Sequence, residues 1–343
     1  MKWEKRALED VADFCLGKML DQNKNRGAAR PYLANVNVRW GEFDLDDLRE
    51  MRFEPAEIDR YGLKFGDIVM CEGGEPGRCA IWKEQMPGMM IQKALHRVRP
   101  HSCLDHRFLY YSFLQKGRTN GFDGLFTGST IKHLPREKLA KVQIGIPPLS
   151  VQQRIADFLC AYDDLIENNG RRIALLEDAA RMLYREWFVN FRFPGHEHVE
   201  IIDGLPRGWT VRKLAECVSF QSGGTPRKSK PEYWSGHVPW ISSGELTTMR
   251  VSTAKLSVTD EAVAEGSRYA EKNTILAVVR GMSLAKEFRI GIVSTRVCFN
   301  QDIKALVPDR GIEALFIFHS LLDRRDRIRQ QAGEASEARN RCP

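Results

Sequence analysis

Apolar positions along this chain follow two different periods. From Ser150 to about Asn190, Ile155, Leu159, Tyr162, Ile166, Ile173, Leu176, Ala180, Leu183 and Trp187 recur at alternating steps of four and three, with Asn169 in the one open place. This is a 3.5-residue period held over about five heptads, the pattern of a coiled-coil seam. Pro147-Pro148 sets its start, and Ser150 is placed to cap a helix. About 40 residues at ~1.5 Å each reach ~60 Å, too long for a helix that merely lies on a small domain. Gly170 is either absorbed into one continuous helix, at a cost of about 1 kcal/mol, or marks a kink or a turn between two helices. An Asn in such a seam serves to fix register or partner number.

On both sides of this helix the runs are shorter. Asp67–Cys71, Val142–Ile146, Thr274–Val279 and Ile290–Ser294 are β-branched, bounded by Gly, Pro or charge, and predict strands. Asp105–Leu114 and Glu313–Leu322 carry helical spacing. The flanking segments are also copies of one another at an offset of about 207 residues. Trp3, Leu8, Phe14 and Gly17 return as Trp209, Leu214, Phe220 and Gly223, and Arg6 returns as Arg212. Pro31-Tyr32-Leu33 returns as Pro239-Trp240-Ile241, and Gly66-Asp67-Ile68-Val69 as Asn273-Thr274-Ile275-Leu276. Gln92 is matched to Gln301, and Ser112-Phe113-Leu114 to Ser320-Leu321-Leu322. Pro194-Gly195 and Gly204 to Gly208 supply the breakers of a linker or turn. The expected organisation is α+β: a first domain over 1–148, a long helix over 149–192, a linker over 193–208 and a second domain over 209–343.

Composition narrows this only slightly. No apolar run reaches the roughly 18–20 residues of a membrane helix, and MKWEKRALED is no secretory signal, so a cytoplasmic chain is expected. The eight cysteines never form CxxC, and His196-Glu197-His198 has no further ligand nearby, so no metal site is expected. Fifty-two basic against 45 acidic residues leave +7, which permits a polyanionic partner without requiring one.

These segments resemble the DNA-specificity (S) subunits of bacterial type I restriction-modification enzymes. In the first copy the likeness lies in Gly17-Lys18-Met19-Leu20, Pro31-Tyr32-Leu33, Asn35, Asn37-Val38 and Trp40. In the second it lies in Leu205-Pro206, Gly208-Trp209, Gly223-Gly224-Thr225-Pro226, Tyr233-Trp234 and Pro239 through Gly244. Ile146-Pro147-Pro148-Leu149 with Gln152-Gln153-Arg154-Ile155 looks like the entry to the family's first long helix, and Trp187-Phe188-Val189 with Phe191 like its exit. The resemblance implies two target-recognition domains, each reading half of a bipartite DNA site, spaced by two antiparallel helices. It implies that those helices dock methyltransferase (M) subunits, which bring S-adenosylmethionine for N6-adenine methylation. Motor-nuclease (R) subunits, with ATP and Mg, join for restriction.

The S subunit itself is expected to catalyse nothing and to hold no cofactor. No phosphate loop, GxGxxG or Asn/Asp-Pro-Pro-Tyr/Phe motif stands in the sequence. One departure is expected to matter. After Ala335-Ser336 only Glu337–Pro343 follow, so the second copy is read as truncated and the second long helix as missing. The alternatives are an interaction protein that binds M subunits, or a second S chain through the seam, without forming a competent enzyme, and a self-contained DNA enzyme.

Reading DNA needs phosphate contacts for position and base-edge contacts for specificity. The candidates are Arg78 in the loop Glu72–Arg78, and Arg280 and Gly281 with Lys286 and Arg289 in the matching loop of the second copy. Arg227, Lys228 and Lys230, after Gly223 and Thr225, are candidate phosphate contacts.

Overall fold

The run Ile68–Cys71 is buried at every position, because its sheet is covered on both faces. In the computed structural model, which describes residues 3–21, 25–281, 284 and 287–331, the chain divides into two units, Met1–Gly170 and Arg171–Pro343. In the first, Ile68–Cys71 is a central strand of an antiparallel sheet ordered Ala12–Leu16, Leu95–Pro100, Ile68–Cys71, Cys79–Ile81. Successive side chains of a strand alternate faces. Ile68 and Met70 therefore pack with Phe108, Leu109 and Phe113 of helix His106–Arg118. Val69 and Cys71 pack the other way, with Leu33, Trp82 and Ile91. Leu33 and Ile91 belong to a second sheet, in which Ala28–Leu33 pairs antiparallel with Arg49–Phe53 and parallel with Met90–Ile91. Two buried cations tie the layers together. Lys18 Nζ donates to Arg52 O (2.9 Å) and pairs with Glu57 (2.5 Å). Arg97 caps the C-terminal end of helix Pro55–Tyr61 by donating to the carbonyls of Asp59, Arg60 and Gly62.

The second unit repeats this plan. Its main sheet runs Val218–Ser222, Ile303–Pro308, Ile275–Val278, Ile290–Val293, Arg250–Val251. Ile275 and Ala277 face helix Ala314–Asp323, while Leu276 and Val278 face a second sheet that includes Val238–Ile241 and Val297–Phe299. The registers coincide as well. Phe14 pairs with Val98, Val98 with Ile68 and Ile68 with Ile81; Phe220 pairs with Leu306, Leu306 with Ile275 and Ile275 with Ile292. The turns before the central strands match too, Gly66 at φ +85° being replaced by Asn273 at φ +69°, since Asn tolerates the left-handed region better than most residues. One sequence match is corrected. Gln92 N–H donates to Leu33 O and Asn300 N–H to Ile241 O, so the ladder makes Asn300, not Gln301, the counterpart of Gln92.

The long helix spans Leu149–Tyr184 and continues as a π-turn over Arg185–Val189. Gly170 does not end it; one glycine costs only about 1 kcal/mol. Ser150 is not its cap. The helix begins one residue earlier, and the carbonyl of Pro148 accepts from the amides of Val151 (2.8 Å) and Gln152 (3.1 Å). The breaker-rich stretch that follows contains a small hairpin, Ile201–Ile202 on Leu205–Pro206, whose turn residues Asp203 and Gly204 both have positive φ, as a type I′ turn needs. Phe193 stacks on Trp209 at 5.3 Å, so this stretch is folded rather than open. Ala335-Ser336 and the tail to Pro343 lie outside the described residues.

Candidate nucleic-acid interface

In the second unit, strand Val218–Ser222 runs into Gly223-Gly224-Thr225-Pro226. A Cβ on Gly223 would strike the Phe299 carbonyl oxygen, and one on Gly224 the carbonyl oxygen of Gly266, so the chain passes here only without side chains. Trp240 Nε1 donates to Gly224 O (3.1 Å), and Thr225 Oγ1 to Gln301 Oε1 (2.7 Å). The turn held this way delivers Arg227, Lys228 and Lys230 to the surface. Glu265 takes two of them, Arg227 Nε at 3.1 Å and Lys230 Nζ at 3.2 Å, together with the hydroxyl of Tyr233. The Tyr233 hydrogen bond, then those cations, hold the Glu265 carboxyl below the usual range; Tyr233 and Glu265 in turn hold Lys230 above its own. Lys228 is exposed and has no carboxylate partner among the described residues. A phosphate arriving here must compete with Glu265 for Arg227 and Lys230, whereas Lys228 is available at once.

The loop between Ile275–Val278 and Ile290–Val293 presents Arg280, exposed and without a partner among the described residues. Gly281, at φ +103°, has open space where a Cβ would be, so its backbone conformation rather than crowding calls for glycine. Lys286 lies outside the described residues. Arg289 turns inward, donating to Gly244 O (3.3 Å) and to Glu287 (3.3 Å), with its side chain about a quarter exposed. In the first unit the corresponding loop joins Ile68–Cys71 to Cys79–Ile81, and its Arg78 is 14% exposed. Arg78 donates to Asn35 O (2.9 Å) and pairs with Glu75 (2.7 Å). Counted back from the paired residues Ile81 and Ile292, Arg78 is the counterpart of Arg289. Both arginines donate to a backbone carbonyl just beyond the parallel-paired strand of the second sheet, and so anchor their loops.

The helix seam divides into three parts. At its root Ile155 packs on the first core and Leu159 is half-buried. At its far end Trp187 is half-buried beside Phe188, which packs on Trp209 and Phe316. Between these ends Tyr162, Ile166, Asn169, Ile173, Leu176 and Leu183 are exposed, Ile166 to 69% and Leu176 to 68%. Ala180 is intermediate. Two residues that fix the root escaped the periodicity. Gln152 and Ala156 are both 0% exposed. The Gln152 amide accepts from Asp105 N–H (2.9 Å) and donates to Cys103 O (3.1 Å) and Pro147 O (2.9 Å). Arg107 then bridges Asp105 and Asp157, and the Tyr111 hydroxyl donates to Asp163. The adjacent polar pair Gln152-Gln153 was the available signal, but sequence does not say which of the two turns inward.

The profile of the type I restriction modification DNA specificity domain matches residues 1–178 and 206–334, one stretch in each repeat. The chain belongs to that family. The MjaIX specificity subunit of Methanocaldococcus jannaschii is 27% identical over 248 residues, 70% of this chain and 57% of that one. The HindI specificity subunit of Haemophilus influenzae is 24% identical over 389 aligned residues, 92% of this chain and 83% of that one. This chain thus spans little more than half of the first relative and most of the second. The S subunit of a type I restriction-modification system from M. genitalium shares the fold, with a TM-score of 0.56 at 18% identity, covering 98% of this chain and 80% of that one. The α+β architecture with a long helix between two similar domains is therefore the family's. Among the described residues no helix is long and apolar enough to cross a membrane.

Proposed function

We propose that this chain is the sequence-reading subunit of a type I restriction-modification complex, each α+β unit contacting one half of a bipartite duplex target. The observation that carries the proposal is the duplicated sheet, whose matching registers place an equivalent loop after Cys71 and after Val278 in two units of one DNA-specificity chain. The exposed stripe from Tyr162 to Leu183 suits helices of partner chains, which we take to be methyltransferase subunits that supply S-adenosylmethionine for N6-adenine methylation. Motor-nuclease subunits, with ATP and Mg, join through that complex, and this chain carries neither cofactor nor chemistry of its own. The same stripe also favours a second reading, in which another copy of this chain covers it. The test is selection of bound duplexes from a random library by the chain with its methyltransferase subunits. Two short half-sites at a fixed spacing are expected, with affinity falling steeply between about 50 and 200 mM salt. Sequence-independent binding overturns the proposal.

A further inference from the structure

Beside the loop Glu72–Arg78, the first unit carries a second loop. Thr127 N–H donates to His133 O (2.9 Å) and His133 N–H to Thr127 O (2.8 Å), closing a hairpin over Gly128-Ser129-Thr130-Ile131-Lys132. All five of these residues are exposed, and Ile131 is 63% exposed. Gly128, at φ +91°, lets the loop close, since a Cβ there would run into the carbonyl oxygen of Ile131.

The base of this loop is fixed. Leu134 N–H donates to Glu72 O (2.8 Å), and Gly73 forms a β-bridge with His133. A Cβ at Gly73 would stand 3.1 Å from the imidazole of His133, tighter than an ordinary contact. Below, the buried ring of His96 shares a hydrogen bond with Leu134 O (2.8 Å). The two loops are therefore joined at their bases, and the tip beyond Thr127 and His133 is exposed. That tip gathers two hydroxyls, one ammonium and one branched apolar group that folding leaves in water. Hydroxyls suit base edges, lysine suits phosphate, and an apolar branch suits the methyl group of thymine.

We propose that Gly128–Lys132 is a base-reading element of the first unit, with Ile131 against a thymine methyl in the major groove and Lys132 against a backbone phosphate. This rests on the chain being a DNA-reading subunit. The test uses the full chain with its methyltransferase subunits and the target selected from random duplexes, remade with uracil at one thymine at a time. Uracil lacks only the methyl, so one position should lose about fourfold in affinity for the wild type, the value of one buried methyl-sized group. In Ile131→Ser that loss should vanish at this position alone. Lys132→Ala should weaken all targets alike and reduce the slope of log affinity against log salt by about 1.

Both side chains are exposed, and unchanged thermal melts check that the fold is kept. An Ile131→Ser chain that keeps the wild-type response at every thymine overturns the inference, whatever Lys132→Ala does. Weaker capture of methyltransferase subunits with an unchanged ranking of targets overturns it too, in favour of a protein contact. A wild type that selects no sequence brings down the DNA-reading proposal itself; selection with an indifferent Ile131 brings down only the loop.

Discussion

Gln152→Leu tests whether the long helix is rooted in the first unit by one buried amide. Leu nearly keeps the volume but removes three hydrogen bonds, leaving Asp105 N–H and the carbonyls of Cys103 and Pro147 without their partner. The contact to Pro147 is fully buried, and the other two are partly so. Each unsatisfied buried group costs about 1–3 kcal/mol, with the lower figure where water can reach. The sum is about 3–4 kcal/mol, and burying an apolar chain in place of an amide returns about 1. A net loss of about 2–3 kcal/mol should lower the midpoint of the first unit by about 5–10 °C, at ~2–4 °C per kcal/mol for a unit of this size. Thermal melts should be paired with hydrogen exchange, which reports the amides of residues 103–107 and 147–157 separately from the second unit. The neighbouring Gln153 is exposed, and Gln153→Leu should stay within about 0.5 kcal/mol of wild type. If the two variants are indistinguishable, the helix is rooted by something else.

Arg280→Ala should leave stability unchanged and alter preference at one base pair by about 1–3 kcal/mol in competition binding. Arg78→Ala should instead lower stability by about 1–2 kcal/mol in urea titration, because it frees the carbonyl of Asn35. Burial lowers the pKa of His96, so the unfolded chain takes up its proton first as pH falls. The stability due to His96 is then present above about pH 6.5 and lost below it, and His96→Gln should flatten the urea midpoint measured from pH 8 to 5. Ile166→Asp with Leu176→Asp should abolish capture of the partner helix, read by light scattering, at little cost to the isolated chain's own melt.

Much of the fold was legible because burial leaves a period. Ile68 to Cys71 and Ile275 to Val278 read as strands, since two covered faces demand an unbroken apolar run. The repeat was legible through Phe14 and Phe220, which hold equivalent places in the ladder. What sequence misread were matters of register and partner. An offset count joined Gln92 to Gln301 where the ladder joins it to Asn300, because a one-residue difference between the copies is invisible without hydrogen bonds. The match of the two loops held, but sequence did not separate the arginines that anchor them, Arg78 and Arg289, from Arg280, which faces solvent. The exposed tip at Ile131 carried no period at all, and only the Thr127–His133 closure sets it apart from an ordinary turn.

The same distinction sharpens the helix. Its period is uniform from Ile155 to Trp187, yet burial is not, because the ends pack on their own units and the middle is left exposed. The exposed stretch from Tyr162 to Leu183 is about three heptads, or ~30 Å at 1.5 Å per residue. Its apolar members, Tyr162, Ile166, Ile173, Leu176 and Leu183, are 50–69% exposed. Each gains about 1.5–3 kcal/mol when fully buried, so covering what is still exposed is worth several kcal/mol in all. That outweighs any single surface ion pair along the helix, each worth at most about 1 kcal/mol. A partner should thus be chosen by a matching apolar stripe of some three heptads, with Asn169 near its centre setting the register.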